Sequence, residues 1–366
     1  MKKQLIALFL AVLMVFALVA CTAKTPATDA PATDAPAADT PATDAPATDA
    51  PAADTPAADA PAEKKVINLG LANISETNSF GKLVKMGFEE ACEKRGWTLT
   101  YVNNNLDGPT AVNNARILAS SEVDFVVNLN VDQSVAGSIM DVLNEAGIPA
   151  MGVDISLGED VPFFGVNSAI VGTVNGEYAA EYIKENWDGK VDHVVLFTQM
   201  TSGDEVNKRV RNSVEALEAA GIEVGEVTEI DAKGDTPTAQ SMFASFLSAH
   251  PDSDKIACFS INEFPATGAY AAAVMAEREW DIRIFSASCS DQFVSPMYRS
   301  EGNQSWISTV AFFPEKYGEQ ACQIIEDYFA TGEIALINDA HVQPIDWSNI
   351  NEFYPLDNLP WEKIRE

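Results

Sequence analysis

The chain has 366 residues, 47% of them hydrophobic and 21% charged, with a formal net charge of −31. Such acidity repels phosphate backbones and excludes nucleic acid as a partner, and it disfavours close contact with anionic lipid heads. With only three histidines and five cysteines, the chain has few side chains to offer for metal or nucleophilic chemistry.

The first unit runs from Met1 to Cys21. Lys2 and Lys3 precede an apolar run from Leu5 to Val19, which is shorter than the roughly 20 residues that a spanning helix needs. It has the form of a secretory signal. Leu18-Val19-Ala20-Cys21 resembles the lipobox of bacterial lipoproteins. The resemblance implies cleavage before Cys21 and diacylglycerol on its thiol, an anchor that holds through buried methylenes without spanning the membrane. An ordinary signal with an incidental cysteine is the alternative.

Thr22 to Ala62 is almost entirely Pro, Ala, Thr and Asp, with acids at Asp29, Asp34, Asp39, Asp44, Asp49, Asp54 and Asp59. No large apolar side chain is present to offset the entropy of ordering. Frequent proline favours extended conformations, so the segment reads as a tether reaching on the order of 100 Å.

Beyond it, strand-like and helix-like patterns alternate. Val66–Ala72 reads as a buried strand. The next helix sets Phe80, Leu83, Val84, Gly87, Phe88, Ala91 and Cys92 on one face and stops at Gly96. Strands at Leu99–Val102, Phe125–Leu129 and Ile148–Val153 follow, separated by helices over Pro109–Ser120 and Asp132–Ala146. The pattern then restarts with a helix over Val171–Asn186 and strands at His193–Phe197, Ile222–Ile230, Ile256–Phe259 and Ile282–Phe285. Helices ending at Ala220, Ala249 and Glu279 separate these strands, the second of them starting near Pro237. Repeated βα units build parallel sheets with helices on both faces. The expected fold class is therefore α/β, with two doubly wound lobes joined by a hinge. The expected organisation is a signal over 1–21 and a tether over 22–64. Lobe one then takes 65–167 plus about 313–342, and lobe two takes 168–312 plus about 343–366. Open parallel sheets bind ligands at the carboxyl ends of their strands, which here puts the site in the cleft between the lobes. Cys92, Cys258, Cys289 and Cys322 show no CxxC or zinc-ligand spacing and fit small core positions.

Several stretches carry a more specific signal: Ser75-Glu76-Thr77-Asn78-Ser79-Phe80, Asn128-Leu129-Asn130-Val131-Asp132, and Ala146-Gly147-Ile148-Pro149-Ala150-Met151-Gly152-Val153-Asp154. In the second half they are Ser260-Ile261-Asn262-Glu263 and Phe312-Phe313-Pro314-Glu315-Lys316-Tyr317-Gly318. In this order and spacing, from Val66 to Ile345, the chain resembles the type I periplasmic sugar-binding proteins, the substrate-binding lipoproteins of ABC transporters. The resemblance implies a sugar-like ligand and a membrane permease as partners, and no cofactor. By position it implies hydrogen bonds from Asn78, Asn130, Asp132, Asp154 and Asn262, and stacking on Phe80. Asn130 and Asp132 are equally placed to cap a helix, and Phe80 to open a helix core. The chain departs from the ribose-binding pattern in four places. Ile155 follows the lobe-one aspartate where arginine is expected. Asn207 stands at the lobe-two arginine position, with Lys208, Arg209 and Arg211 alongside. Ala287 or Ser288 replaces an aspartate, and Phe312 replaces the hinge-side glutamine. These changes remove charge-assisted bonds and add aromatic surface, so a less hydroxylated ring such as a nucleoside fits as an alternative.

A sensory module presenting its ligand to a membrane receptor would share the same fold and anchor. A transcription regulator of this fold is excluded, because the lipobox and tether occupy the place of a helix-turn-helix. Catalysis is not expected: His193, His250 and His341 sit in no catalytic spacing, and phosphate loops, HExxH and a calcium loop are absent.

Overall fold

In the first half of the folded part, apolar strand runs alternate with capped amphipathic helices. The computed structural model describes residues 65–303 and 305–364, so the expected signal, tether and Cys21 lie outside the described residues. Strands β1 (Asn68–Asn73), β2 (Thr98–Asn103), β3 (Phe125–Asn128), β4 (Ala150–Val153) and β5 (Phe163–Gly165) alternate with helices α1 (Ser79–Arg95), α2 (Gly108–Ala119) and α3 (Ala136–Glu145). Helix α4 (Ser168–Asn186) leads into the second set of strands. These are β6 (Lys190–Thr198), β7 (Glu223–Asp231), β8 (Ile256–Ser260), β9 (Ile282–Ser288) and β10 (Trp306–Ala311). Between them lie α5 (Gly203–Ala219), α6 (Thr236–Ala249), α7 (Glu263–Met275) and α8 (Asp291–Ser300). The chain ends with α9 (Tyr317–Thr331), β11 (Ile337–Asp339), β12 (Gln343–Asp346) and α10 (Ile350–Phe353).

Two six-stranded sheets result, in the orders β11-β5-β4-β3-β1-β2 and β12-β10-β9-β8-β6-β7. Every pairing is parallel except that of β12, which runs antiparallel to β10. The doubly wound α/β class expected from the periodicity is the one observed. The chain crosses between the sheets after β5, after β10 and after β11, which makes a three-strand hinge.

Local chemistry sets the helix starts. Asn78 caps α1 by accepting from Gly81 N at 2.8 Å, and Gly96 ends it with φ 69°. Asp107 caps α2, Asp235 caps α6 and Asn167 caps α4. The Asn167 cap starts α4 three residues before the expected Val171. The helix expected from Asp132 is instead a 3₁₀ turn over Gln133–Val135 followed by α3. There Asp132 Oδ1 accepts from Ser134 N at 2.9 Å, an i to i+2 bond that holds a turn.

Each sheet is buried on both faces. In the first, Leu69, Leu71, Phe125 and Val127 pack with Phe88 of α1 and Cys322 and Ile325 of α9, while Val126 packs with Leu118 of α2 and Leu143 of α3. The contact of α1 with α9 requires two glycines: a Cβ on Gly318 would lie 2.1 Å from the Gly87 carbonyl. In the second, Cys258 and Ile284 face Phe243 of α6, and Phe259 and Phe285 face α4 and α5. Ile350, Tyr354, Leu359 and Trp361 of the C-terminal segment join the Phe243 cluster, which also takes in Leu83 of α1. All four cysteines after residue 65 are buried and free. Among the described residues, no helix is long and apolar enough to cross a membrane.

Candidate ligand cleft

The carboxyl ends of both sets of strands face one cavity of about 470 Å³. From the first lobe, Asn78 and Phe80 follow β1, Asn130 follows β3, and Asp154 and Ile155 follow β4. From the second, Gln199 follows β6, Arg209 reaches in from α5, Asn262 and Glu263 follow β8, and Ser288 ends β9. Phe312 lies at the hinge beyond β10. The lobes touch at the rim: Ser79 Oγ donates to Asp291 Oδ1 at 2.7 Å, and Ser202 Oγ donates to the Val131 carbonyl at 3.1 Å. The lobes therefore meet across part of the cleft mouth.

Asp154 sits just beyond β4 with φ 60°, opposite Gly165, where a Cβ would lie 2.5 Å from its Oδ1. That oxygen accepts from Val166 N and from the Tyr317 hydroxyl, each at 3.2 Å. Among the described residues Oδ2 has no donor. Burial pushes the carboxyl up from its ordinary value, against the opposing pull of the Arg209 charge and of both donors. Across the cleft, Arg209 is 8% exposed. Its Nε donates to Ser168 Oγ at 3.1 Å, its guanidinium lies 5.0 Å from the Phe312 ring centre, and its buried Nη2 has no partner. Burial pulls the guanidinium down, while Asp154 and Tyr317 oppose that shift. No ion pair joins Asp154 and Arg209, although each carries an unsatisfied polar atom. Leaving the Arg209 nitrogen buried and unpaired is costly, and half-buried Asp154 Oδ2 stays free to accept from a polar guest.

Glu263 is 2% exposed. Its Oε2 accepts from Ser290 N at 2.7 Å and from the Ser290 hydroxyl, and its Oε1 accepts from Thr309 Oγ1 at 3.2 Å. Burial, the dominant cause, pushes it up to about 8, and the three donors oppose that shift. Asn78 and Asn262 use their side-chain carbonyls to cap α1 and α7. Their amide NH₂ groups have no protein acceptor among the described residues, so each can both cap and bind. Asn130 accepts from Asp132 N at 2.8 Å and donates to Asn128 Oδ1 at 3.3 Å. Phe80 meets Tyr317 edge-on, with ring centres 6.0 Å apart.

Residues 69–334 match the family profile described as a periplasmic binding protein domain. The chain belongs to that family. Periplasmic binding proteins are a class of solute binders, and the two lobes here have the type I arrangement. The ribose import binding protein RbsB of Bacillus subtilis (strain 168) is 24% identical over 267 residues, covering 72% of this chain and 82% of that protein. Among solved structures, a solute-binding protein of an Actinobacillus succinogenes 130z ABC transporter, with bound D-allose, superposes with a TM-score of 0.68. It is 16% identical and is covered over 99% of its length, against 78% of this chain. A Bacillus halodurans C-125 solute-binding protein with bound myo-inositol gives a TM-score of 0.64 at 18% identity, covering 79% of this chain and 97% of that one.

Of the nine predicted site residues in this periplasmic binding protein, seven line the cavity: Asn78, Phe80, Asn130, Asp154, Asn262, Ser288 and Phe312. Asp132 does not, because both bonds to its Oδ1 hold the turn at Ser134. Asn207 is also a correction. It is wholly buried behind the cleft, where it accepts from Gln199 N and donates to the Gln199 and Gly203 carbonyls. The basic residue of α5 that lines the cavity is Arg209. Two residues along a helix rotate a side chain by about 200°, so the two positions point in nearly opposite directions. No local pattern marks Glu263 or Tyr317 as a site residue. The nearest signal for Glu263 is an acid directly after a buried strand and a helix-cap Asn.

Proposed function

We propose that this chain is the extracytoplasmic solute receptor of an ABC importer, tied to the membrane through lipidated Cys21, and that its ligand is a hydroxylated ring of monosaccharide size held between closed lobes. One observation carries the proposal: half-buried Asp154 of one lobe and buried Arg209 of the other line the same cavity without pairing, Asp154 Oδ2 having no donor and Arg209 Nη2 no acceptor among the described residues. A carboxylate accepts two hydroxyl protons and a guanidinium donates to a ring or hydroxyl oxygen, a pairing suited to a polyol. The named ligands of the relatives, ribose, D-allose and myo-inositol, have this chemistry. Closure on the ligand supplies the surface change that a permease can recognise.

A second reading is favoured by the walls. Ile74, Leu106, Ile155, Val206, Ile261 and Phe264 join Phe80 and Phe312 around the cavity, and this apolar surface suits a ring with one unhydroxylated face, such as a nucleoside. A thermal-shift screen of residues 22–366 against monosaccharides, polyols and nucleosides tests both readings. A ligand at 100 times its dissociation constant adds about 2.7 kcal/mol of stability. Stabilisation by a sugar or polyol supports the first reading. Stabilisation by nucleosides alone replaces it with the second, and no shift from any of these classes contradicts both.

A further inference from the structure

At the end of the second sheet opposite the cleft, two of the chain's three histidines meet an acid. His193 is the fourth residue of β6 and pairs in register with Glu226 on β7. His250 follows the last turn of α6. One donor atom from each of the three side chains lies within 4.8 Å of the other two. The imidazole rings are 4.3 Å apart between centres, and His193 Nε2 is 3.1 Å from Glu226 Oε2. For comparison, two ligands 2.05 Å from a tetrahedral zinc ion are separated by about 3.3 Å. The three positions are 33 and 24 residues apart in sequence, so no local motif announced them.

The geometry points to a divalent transition-metal site, of the zinc class, formed by His193, His250 and Glu226. The loop that presents it is already rigid. Arg278 donates from Nη1 to the carbonyls of Leu247 at 2.8 Å and His250 at 3.0 Å, and from Nη2 to that of Ser253. Ser253 Oγ in turn lies 3.1 Å from His193 Nδ1. With Nδ1–H donating to that hydroxyl, the Nε2 lone pair is directed at the centre of the cluster, which is how outer-sphere partners orient a ligating histidine. His193 is nearly buried and His250 half-buried, while the Glu226 side chain is 65% exposed. The ion is thus held from the protein side and completed by water from solvent. Two imidazoles and a carboxylate select zinc-like ions over calcium or magnesium, which prefer all-oxygen sets. Gln199 of the cleft lies six positions beyond His193 along β6, roughly 20 Å away. An ion there would tie β6, β7 and the end of α6 together and stabilise the second lobe, without touching the ligand.

The test is titration of ZnCl₂ into the full mature chain, read by thermal shift, with Co²⁺ substituted to report coordination by visible absorption. A single equivalent of Zn²⁺ should raise the melting temperature, and Co²⁺ should give the intense bands of a four-coordinate ion. Both signals should vanish in His250→Ala and weaken in Glu226→Gln. The acid-rich surface binds cations loosely, but carboxylate-bound Co²⁺ is six-coordinate and nearly colourless. Absence of the intense bands, or binding undiminished in Glu226→Gln, overturns the site. Glu226 is exposed, so that variant decides the matter even if His250→Ala fails to fold.

Discussion

Replacing Glu263 with Gln should remove a large part of the pH dependence of stability near neutrality. The wild-type carboxyl has an ordinary value of 4.5 and is pushed up to about 8 in the fold, chiefly by burial. Between those limits the native state holds a proton that the unfolded chain has released. Stability from this group is therefore fully present below pH 4.5 and is lost as pH rises toward 8. The interval corresponds to about 5 kcal/mol at 1.36 kcal/mol per pH unit. Gln keeps the shape of the neutral acid, can still accept from Ser290, and has no proton to lose. Urea unfolding at several pH values between 5 and 8 measures the effect, with the difference between the two proteins isolating Glu263 from Asp154 and Glu315, which burial shifts in the same direction. The variant should gain on wild type steadily with pH and exceed it at pH 8. Parallel curves for the two proteins would refute a neutral Glu263.

Gly318→Ala should destabilise by about 1–3 kcal/mol, the usual cost of overpacking, since its Cβ would collide with the Gly87 backbone 2.1 Å away. Differential scanning calorimetry should show a lowered melting temperature, and an unchanged one would mean that α1 and α9 sit farther apart than described. Cys21→Ser should abolish incorporation of a clickable palmitate analogue in cells making the protein. Labelling retained in that variant would rule out Cys21 as the acylated residue.

Much of the fold is legible because burial and capping are local. The fully buried and mostly apolar β3, β4 and β8, the Asn and Asp caps and the glycine stop at Gly96 are each read within a few residues. The three-residue β5 is too short to show periodicity. The antiparallel placement of β12 depends on a partner, β10, more than 30 residues away. In the site, Asp154 follows β4 directly and Asn262 stands two residues after β8, where the chain direction itself aims them at the cleft. Arg209 was one of several basic residues on one helix, and only the phase of α5 separates it from Asn207. The burial of Glu263 arises from Ser290 and Thr309, which arrive 27 and 46 residues later, and His193, Glu226 and His250 meet only once β6, β7 and α6 are assembled.

In the proposed function, the cleft binds a hydroxylated ring through Asp154 and Arg209. Isothermal titration of a monosaccharide and polyol panel into residues 22–366, repeated with Asp154→Ala, tests it most directly. At least one panel member should bind one-to-one, with a loss of about 2–5 kcal/mol in the variant, as expected when a charged hydrogen-bond partner of the ligand is removed. Equal affinity in both proteins, or no binder in the panel, would contradict it.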